Sequence, residues 1–442
     1  MSAGRLTTQQ VAELLGVKVE TVYAYASRGL LSSERVPGGK GSTFDAEEVA
    51  ALAGGPRRRP PRGAAGAGAA GVAGGGAGRA PGSGYGDLPP IEPVTVRTAL
   101  TLIDGGRLYY RGVDAVEFAE RHGFEAAVGL LWGIDADQGL ALHASADLVA
   151  ALRRTGETLP AAIRLPDRLR VSAAVAASLD PLRFDLREEN VRAVGAALIA
   201  AQVEALPTVS AGPSAGESPV GVPPAGESLA ARLWSRLAPG APPPGAVACL
   251  DRALVLLADH ELAVSTVAAR VAASARADPY AVLSAGLGAS DGPLHGAASA
   301  SAHRMLAEVL AAGDAVPVVS EYLRTGRSIP GLGHRLYPRG DPRAVALLDA
   351  QRSLPAAGPV LAAVDAVVRA AGGHRATAAE AANVDLALAA FAHVGGMAAE
   401  AGEVIFSVAR TAGWLAHAME EYREAPLRLR TRADYTGPRP ER

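Results

Sequence analysis

Apolar residues at helical spacing mark two stretches of the chain, residues 1–54 and residues 91–442. In the first, Val11, Leu14 and Leu15 fall on one face of a helix that Thr8 can cap. Gly16-Val17 makes a tight turn, and a second helix from Lys18 turns Val19, Val22 and Tyr23 inward before Gly29 ends it. Residues 35–44, RVPGGKGSTF, predict a short hairpin with a Gly-Gly tip. Asp45 and Glu48 form a D-x-x-E capping signature for a last helix. In the second stretch, Ala258 to Ser299 predicts two helices followed by a Gly-Pro break carrying His295.

The residues between, 55–90, are almost entirely Gly, Ala, Pro and Arg and read as a flexible linker. A GxGxxG match there, at Gly66, Gly68 and Gly71, has no strand before it and no amphipathic helix after it, so it is compositional. Pro207 to Glu227 reads as a surface loop between helices of one domain. The 442 residues suffice for two or three domains and are 49% hydrophobic but only 4% aromatic. Ala, Leu and Val dominate, which predicts an all-α fold of closely packed helices. A formal net charge of -2 gives no global argument for nucleic acid or an acidic substrate. The single Cys249 excludes an intrachain disulfide and reads as a core thiol. No apolar leader and no run of membrane-spanning length is visible, so a cytoplasmic protein without a membrane partner is expected.

Three short segments carry chemistry: GPLHG around His295, PGLGHRLYPRGDPR around His334, and NVD ending at Asp385. Two histidines in Gly/Pro-rich breaks and a carboxylate downstream suit carbon–carbon bond formation. A weakly acidic methyl proton needs a base, and two developing oxyanions need donors. His295 precedes a helix whose N-terminal amides would lower its pKa and keep it a neutral donor. Arg335, Arg339 and Arg343 follow His334, and guanidinium groups pair bidentately with carboxylates. Asp385 opens an apolar run, LALAAFAHVGGM, either as a helix cap or as a chemical group. No metal-ligand spacing is present, so no metal is expected. His122, His143, His303, His374, His393 and His417 read as surface or satisfied core residues.

Residues 1–54, with LTTQQVAELLGVKVETVYAY and the hairpin, resemble the MerR or excisionase type of winged helix-turn-helix domain. That resemblance implies a second helix in the major groove and the hairpin as wing, with DNA as the partner of residues 1–54. Nine Lys and Arg against six Asp and Glu in residues 1–63 is a mild excess for that role, and a protein–protein module stays open. The Arg57–Arg59 cluster is a solvated linker end, or adds phosphate contacts if DNA binds.

Residues 91–442 resemble the citrate synthase family. The resemblance is carried by DGGRLYYRG, ADHELAVST with His260, GPLHG, GHRLYPRGDPR, NVD, ARTAGWLAH and RTRADYTGP, in that order. It implies a large helical domain, 91–297 with 399–442, and a small one, 298–398, closing over a shared site. It implies Asp385 as the base toward acetyl-CoA, His295 as donor to the thioester enolate, and His334 as the group that polarises and protonates the oxaloacetate ketone. His260, Arg343 and Arg410 would hold oxaloacetate, and Arg430 would be donated across a homodimer interface. Arg335 and Arg339 are the candidates for the CoA phosphates, because Pro338 stands where the family often has a basic residue. Ala382 before NVD, Ala297-Ala298-Ser299 after GPLHG, and Thr431 after Arg430 also depart from the family pattern.

The implied activity is acyl transfer with conversion to alkyl: acetyl-CoA, oxaloacetate and water give citrate and CoA, the entry to the tricarboxylic acid cycle. No cofactor is implied beyond acetyl-CoA as co-substrate. A 2-methylcitrate synthase using propionyl-CoA is the alternative within the class, since one methyl is worth little binding energy. A metabolite-sensing DNA-binding regulator is the alternative outside it, although sensing does not need the base Asp385.

Overall fold

A computed structural model describes residues 5–15, 19, 22, 26, 31–35, 42–46, 48–49, 96–134, 140–209, 227–372, 382–431 and 436–438. The chain falls into two compact units, Met1–Pro89 and Pro90–Arg442.

In the smaller unit, β1 (Arg5–Thr7) leads directly into α1 (Thr8–Leu15), followed by β2 (Ser33–Arg35) and β3 (Ser42–Asp45). The strands form an antiparallel sheet in the order β1-β3-β2, with Phe44 opposite both Leu6 and Ser33. Strand β1 is an addition to the helix–hairpin order expected from the sequence. The expected hairpin is present as β2 and β3, and its tip lies outside the described residues. The turn at Gly16-Val17, Tyr23 and Gly29 lie outside them too.

The cap of α1 is Thr7, not Thr8. Thr7 N–H donates to Gln10 Oε1 at 2.9 Å and Gln10 N–H to Thr7 Oγ1 at 3.4 Å, a reciprocal capping box. Thr8 gives its hydroxyl to the Ser42 carbonyl at 3.3 Å, joining α1 to β3. Leu14, expected inward, is 58% exposed. Thr8, Val11 and Ala12 set the buried face at i, i+3 and i+4, and Leu14 falls roughly 200° from Ala12 on the helical wheel. Val11, Val22, Leu31, Phe44 and Val49 close a small core of their own. Asp45 accepts from Glu48 N–H at 3.4 Å, while the Glu48 carboxylate takes both the N–H and the hydroxyl of Ser32, at 2.7 and 2.9 Å.

The larger unit begins with a second antiparallel sheet, β4 (Thr101–Asp104), β5 (Arg107–Tyr110) and β6 (Val113–Asp114). Gly105 and Gly106 make its first turn, both at positive φ (+57° and +82°), which the right-handed twist of a two-residue hairpin requires. Helices follow: α2 (Ala115–Arg121), α3 (Phe124–Trp132), α4 (Ala146–Thr158), α5 (Leu165–Leu179), α6 (Glu188–Glu204), α7 (Leu229–Leu237) and α8 (Ala246–Leu257). Then come α9 (Val264–Ser274), α10 (Pro279–Ser290), α11 (Ala298–Ala312), α12 (Ala315–Arg324), α13 (Pro342–Gln351), α14 (Ala357–Gly372), α15 (Val384–Val394) and α16 (Ala401–Tyr422). Among the described residues the unit is therefore all-α apart from one small sheet. Helices α6 and α7 pack on each other across the Pro207–Glu227 segment, most of which lies outside the described residues.

Helix α16 is the axis. Every residue from Ala401 to Met419 is buried, as a helix without a wide polar face must be. Its small residues let neighbours approach: Gly413 N–H donates to the Ala258 carbonyl at 3.0 Å, and Trp132 Nε1 donates to the Ala412 carbonyl at 2.9 Å. Helices α6, α9 and α10 pack around it. Cys249 sits in this core, and burial pushes its thiol up to about 12, so it is inert at neutral pH. Among the described residues no helix is long and apolar enough to cross a membrane. Nor do three or more His, Cys, Asp or Glu side chains among them converge as metal ligands.

Candidate active site

A cavity of about 820 Å³ gathers His260, His295, His334, Arg335, Arg343, Asp385 and Arg410 on one wall system. These come from the α8–α9 turn, the α10–α11 break, the α12–α13 loop and the starts of α13 and α15, with Arg410 supplied by α16.

His260 follows the end of α8, where the Tyr110 hydroxyl donates to the Asp259 carbonyl at 3.2 Å and fixes the turn. Its Nε2 lies 3.0 Å from the Tyr337 hydroxyl, and its ring stands edge-on to His334 at 5.3 Å. Burial, with Arg343 and Arg410 nearby, holds its pKa well below the ordinary histidine range.

His295 lies in the break between α10 and α11. Its carbonyl accepts from Ala298 N–H at 3.0 Å and starts α11, and its Nε2 is 2.7 Å from Ser265 Oγ. Its ring packs edge-on against Phe406 at 5.3 Å. The imidazole is pushed down to about 4. The cause differs from the one read in the sequence. Burial acts first and the charge of Arg410 second, rather than the amides of α11.

His334 stands in a loop built by Gly331 and Gly333, at φ +82° and +74°. Asn383 locks this loop to α15: its N–H donates to the Gly331 carbonyl and its Nδ2 to the Gly333 carbonyl, both at 2.9 Å. His334 Nδ1 accepts from Leu336 N–H at 3.1 Å, and its Nε2 lies 3.4 Å from Arg343 Nη2. Burial and Arg343 lower its pKa.

Asp385 is not the cap of α15. That is Asn383, whose Oδ1 accepts from Asp385 N–H at 3.0 Å and Leu386 N–H at 3.4 Å. Freed from capping, the Asp385 carboxyl lines the cavity. Burial raises it to about 7, partly offset by Arg343 and reinforced by Asp341. Asp341, 1% exposed, joins the two halves of the chemistry. It binds Arg343 Nε at 2.9 Å and Nη2 at 2.8 Å, and it accepts from Val384 N–H at 3.0 Å.

Arg410 is held by the Leu257 carbonyl at 2.8 Å through Nε, with its guanidinium 4.6 Å from the centre of the Phe406 ring. Of the two arginines considered for CoA, Arg335 lines the cavity, whereas Arg339 is exposed and is not part of the lining. Arg430 is exposed and lies outside the cavity lining of its own chain. Sequence reasoning missed Arg304, Arg327, Tyr322 and Phe406 on the walls. Ala298, Ser301 and Arg304 line the cavity at threefold spacing on α11, a helical-face signal that the sequence did carry. Arg327 stacks on Tyr322, 4.1 Å from the ring centre, a pairing no spacing rule reveals.

Gly331 is a tight point beside Asp385. A Cβ there would lie 2.6 Å from Leu386 Cβ and 3.2 Å from Leu386 N, at a φ that L side chains avoid. Gly331→Ala is expected to push the first turn of α15, and Asp385 with it, lowering turnover about 10²-fold. Steady-state rates beside the thermal midpoint would check this; unchanged kcat would show that α15 tolerates the shift.

The arrangement offers one carboxylate that titrates near neutrality, neutral imidazoles and two buried guanidiniums. It can take a proton from carbon, donate to two oxygens that gain charge, and bind a dicarboxylate. The citrate synthase C-terminal domain model matches residues 92–432. The chain belongs to the citrate synthase family. A helix-turn-helix domain model matches residues 5–55. The chain is 37% identical over 197 residues to citrate synthase 2 of Bacillus subtilis (strain 168), covering 45% of this chain and 53% of that one. The match thus spans about half the length of that relative. It is 31% identical over 360 residues to the citrate synthase of Haloferax volcanii, covering 78% of this chain and 94% of that one. A solved citrate synthase of Thermoplasma acidophilum, in ternary complex with carboxymethyl coenzyme A and oxaloacetate, shares the fold. Its TM-score is 0.63 at 24% identity, over 79% of this chain and 96% of that one.

Proposed function

We propose that this chain is a citrate synthase that condenses acetyl-CoA with oxaloacetate and hydrolyses citryl-CoA to citrate and CoA. The observation that carries this reading is the cavity in which Asp385, His295, His334, Arg343 and Arg410 converge. Asp385 takes the methyl proton while neutral His295 donates to the enolate oxygen. His334 donates to the ketone oxygen as the new bond forms. His260, Arg343 and Arg410 hold the oxaloacetate carboxylates and carbonyl. Arg304, Arg327 and Arg335 supply cations on the cavity wall for the CoA phosphates.

The reading includes a large domain, 91–297 with 399–442, and a small domain, 298–398. It also includes a homodimer in which Arg430 reaches the partner's site. Helix α9 supports the dimer: Val264, Val267 and Val271 form a stripe 69%, 43% and 48% exposed. Next to it, α10 exposes Ala281, Ser284 and Gly288 at helical spacing, a surface of small residues suited to close helix packing. The match to a helix-turn-helix domain favours DNA binding by residues 1–54 as a second function of the same chain.

The test is thiol release by the purified protein with oxaloacetate and either acetyl-CoA or propionyl-CoA. The ratio of the two kcat/KM values names the acyl substrate, and folded protein without turnover on either sinks the enzymatic reading. The pH profile adds a sign. The base works ionised, so kcat/KM is expected to rise with pH up to about 7 and then level, following Asp385. His295, at about 4, stays neutral throughout. An acid limb centred below pH 5 would remove Asp385 from the role of base.

A further inference from the structure

We propose that Asp259 is the counter-ion of Arg410, and that this buried pairing sets how strongly the cavity holds a dicarboxylate. The inference rests on the proposed function and adds a residue that acts on the substrate only through Arg410.

A charged cluster adjoins Arg410 in the core. Arg270, 1% exposed, binds Glu420 at 2.8 Å and Glu421 at 3.0 Å, and Arg428 binds Glu421 at 2.6 Å. Two cations thus meet two carboxylates. Arg276 spends its guanidinium on backbone carbonyls of Glu421 and Glu424. His417 is neutral. Its Nδ1 accepts from Arg270 Nη1 at 2.8 Å, so its proton sits on Nε2, which donates to Asp259 Oδ2 at 3.1 Å. The Thr101 hydroxyl donates to the same oxygen. Both bonds fall on Oδ2, and among the described residues no arginine or lysine is bonded to this fully buried carboxylate. Its Oδ1 makes no hydrogen bond among the described residues.

The cation of the pair is Arg410. It is 1% exposed, its Nε is taken by the Leu257 carbonyl, and its Nη1 makes no hydrogen bond among the described residues. Each group is what the other lacks, and a buried charge without compensation is costly. Burial lowers the Arg410 pKa and Asp259 is the first charge that opposes it, while burial acts on Asp259 upward against His417 first and Arg410 after it. Arg343 is handled differently, locked by two direct bonds to Asp341 at 2.9 and 2.8 Å. Arg410 has no such direct bond to a carboxylate among the described residues, and its side chain lines the cavity that would receive a substrate carboxylate. Gly413, three residues on from Arg410, leaves room for this carboxylate: a Cβ there would lie 2.4 Å from Asp259 Oδ1.

Removing the charge of Asp259 destabilises the empty site and leaves the dianion as the remaining partner of Arg410. Asp259→Asn is therefore expected to bind oxaloacetate about tenfold tighter, with a lower KM and no gain in kcat. A merely structural role would leave KM unchanged or raise it. A thermal-stability cycle of wild type, D259N, R410Q and D259N/R410Q tests the pairing without substrate. The double variant is expected to be about as stable as R410Q alone, and more stable than D259N. Additive losses, or a double variant that stays unfolded where R410Q folds, would overturn the proposal, as would an unchanged or higher KM in D259N. A wild type whose stability and rate ignore oxaloacetate would instead sink the proposed function, with the cycle still deciding the pairing.

Discussion

Asp385→Asn is expected to lower kcat about 10³-fold while leaving the binding of oxaloacetate within about threefold. The amide keeps the shape and the cap of α15 is untouched, because Asn383 makes those bonds. What goes is the proton acceptor. Stability gives an independent check, with the opposite sign. Burial raises Asp385 to about 7 from 3.8, so the stability tied to its protonated form is complete below pH 3.8. It is lost as pH rises through about 7, where the folded protein must hold a buried anion. The asparagine variant escapes that loss and is expected to melt at or above wild type at pH 8, with the gap closing at pH 4. Loss of turnover together with a lower melting temperature at pH 8 would mean that the site collapsed and the base remains unidentified. Retained turnover would move the base elsewhere.

The three catalytic candidates were legible because each stands in a break. His295 and His334 sit among Gly and Pro, and Asp385 heads an apolar run, so polarity in the wrong place marks them. Their states were less legible. The low pKa of His295 was read as a helix-terminus effect, but burial and Arg410, far away in the chain, produce it. Asp341 lay inside a quoted motif with no role assigned. Its importance comes from Val384 N–H, a partner 43 residues on. The same holds for Thr101 and His417, each 158 residues from Asp259. Local signals misled where tertiary contacts compete for a group: Thr8 is a fair cap by type, yet its hydroxyl goes to Ser42 and Thr7 caps instead. The sheet β4–β6 was announced by Asp104-Gly105-Gly106 and passed over, because helical composition set the expectation.

Arg343→Gln is expected to raise KM for oxaloacetate about 10²-fold or more, and to move the acid limb of kcat above pH 7. Arg343 does three things at once from a site 3% exposed: it faces the cavity, neutralises Asp341, and lowers Asp385. Without it, Asp341 is a buried anion with no cation bound to it, a change that typically costs about 3–5 kcal/mol. Asp341 also holds Val384 N–H, so the strain falls on the first turn of α15. Asp385 then loses the charge that opposes its burial and keeps the one, on Asp341, that adds to it. Its pKa must climb, and a larger share of the base is protonated at neutral pH. Arg343→Lys separates the effects: it keeps the charge but not the bidentate grip, so the acid limb should stay near 7 while KM still rises. Were both variants to show the same limb as wild type, Arg343 would be a binding group only, and the field at Asp385 would be set by burial and Asp341.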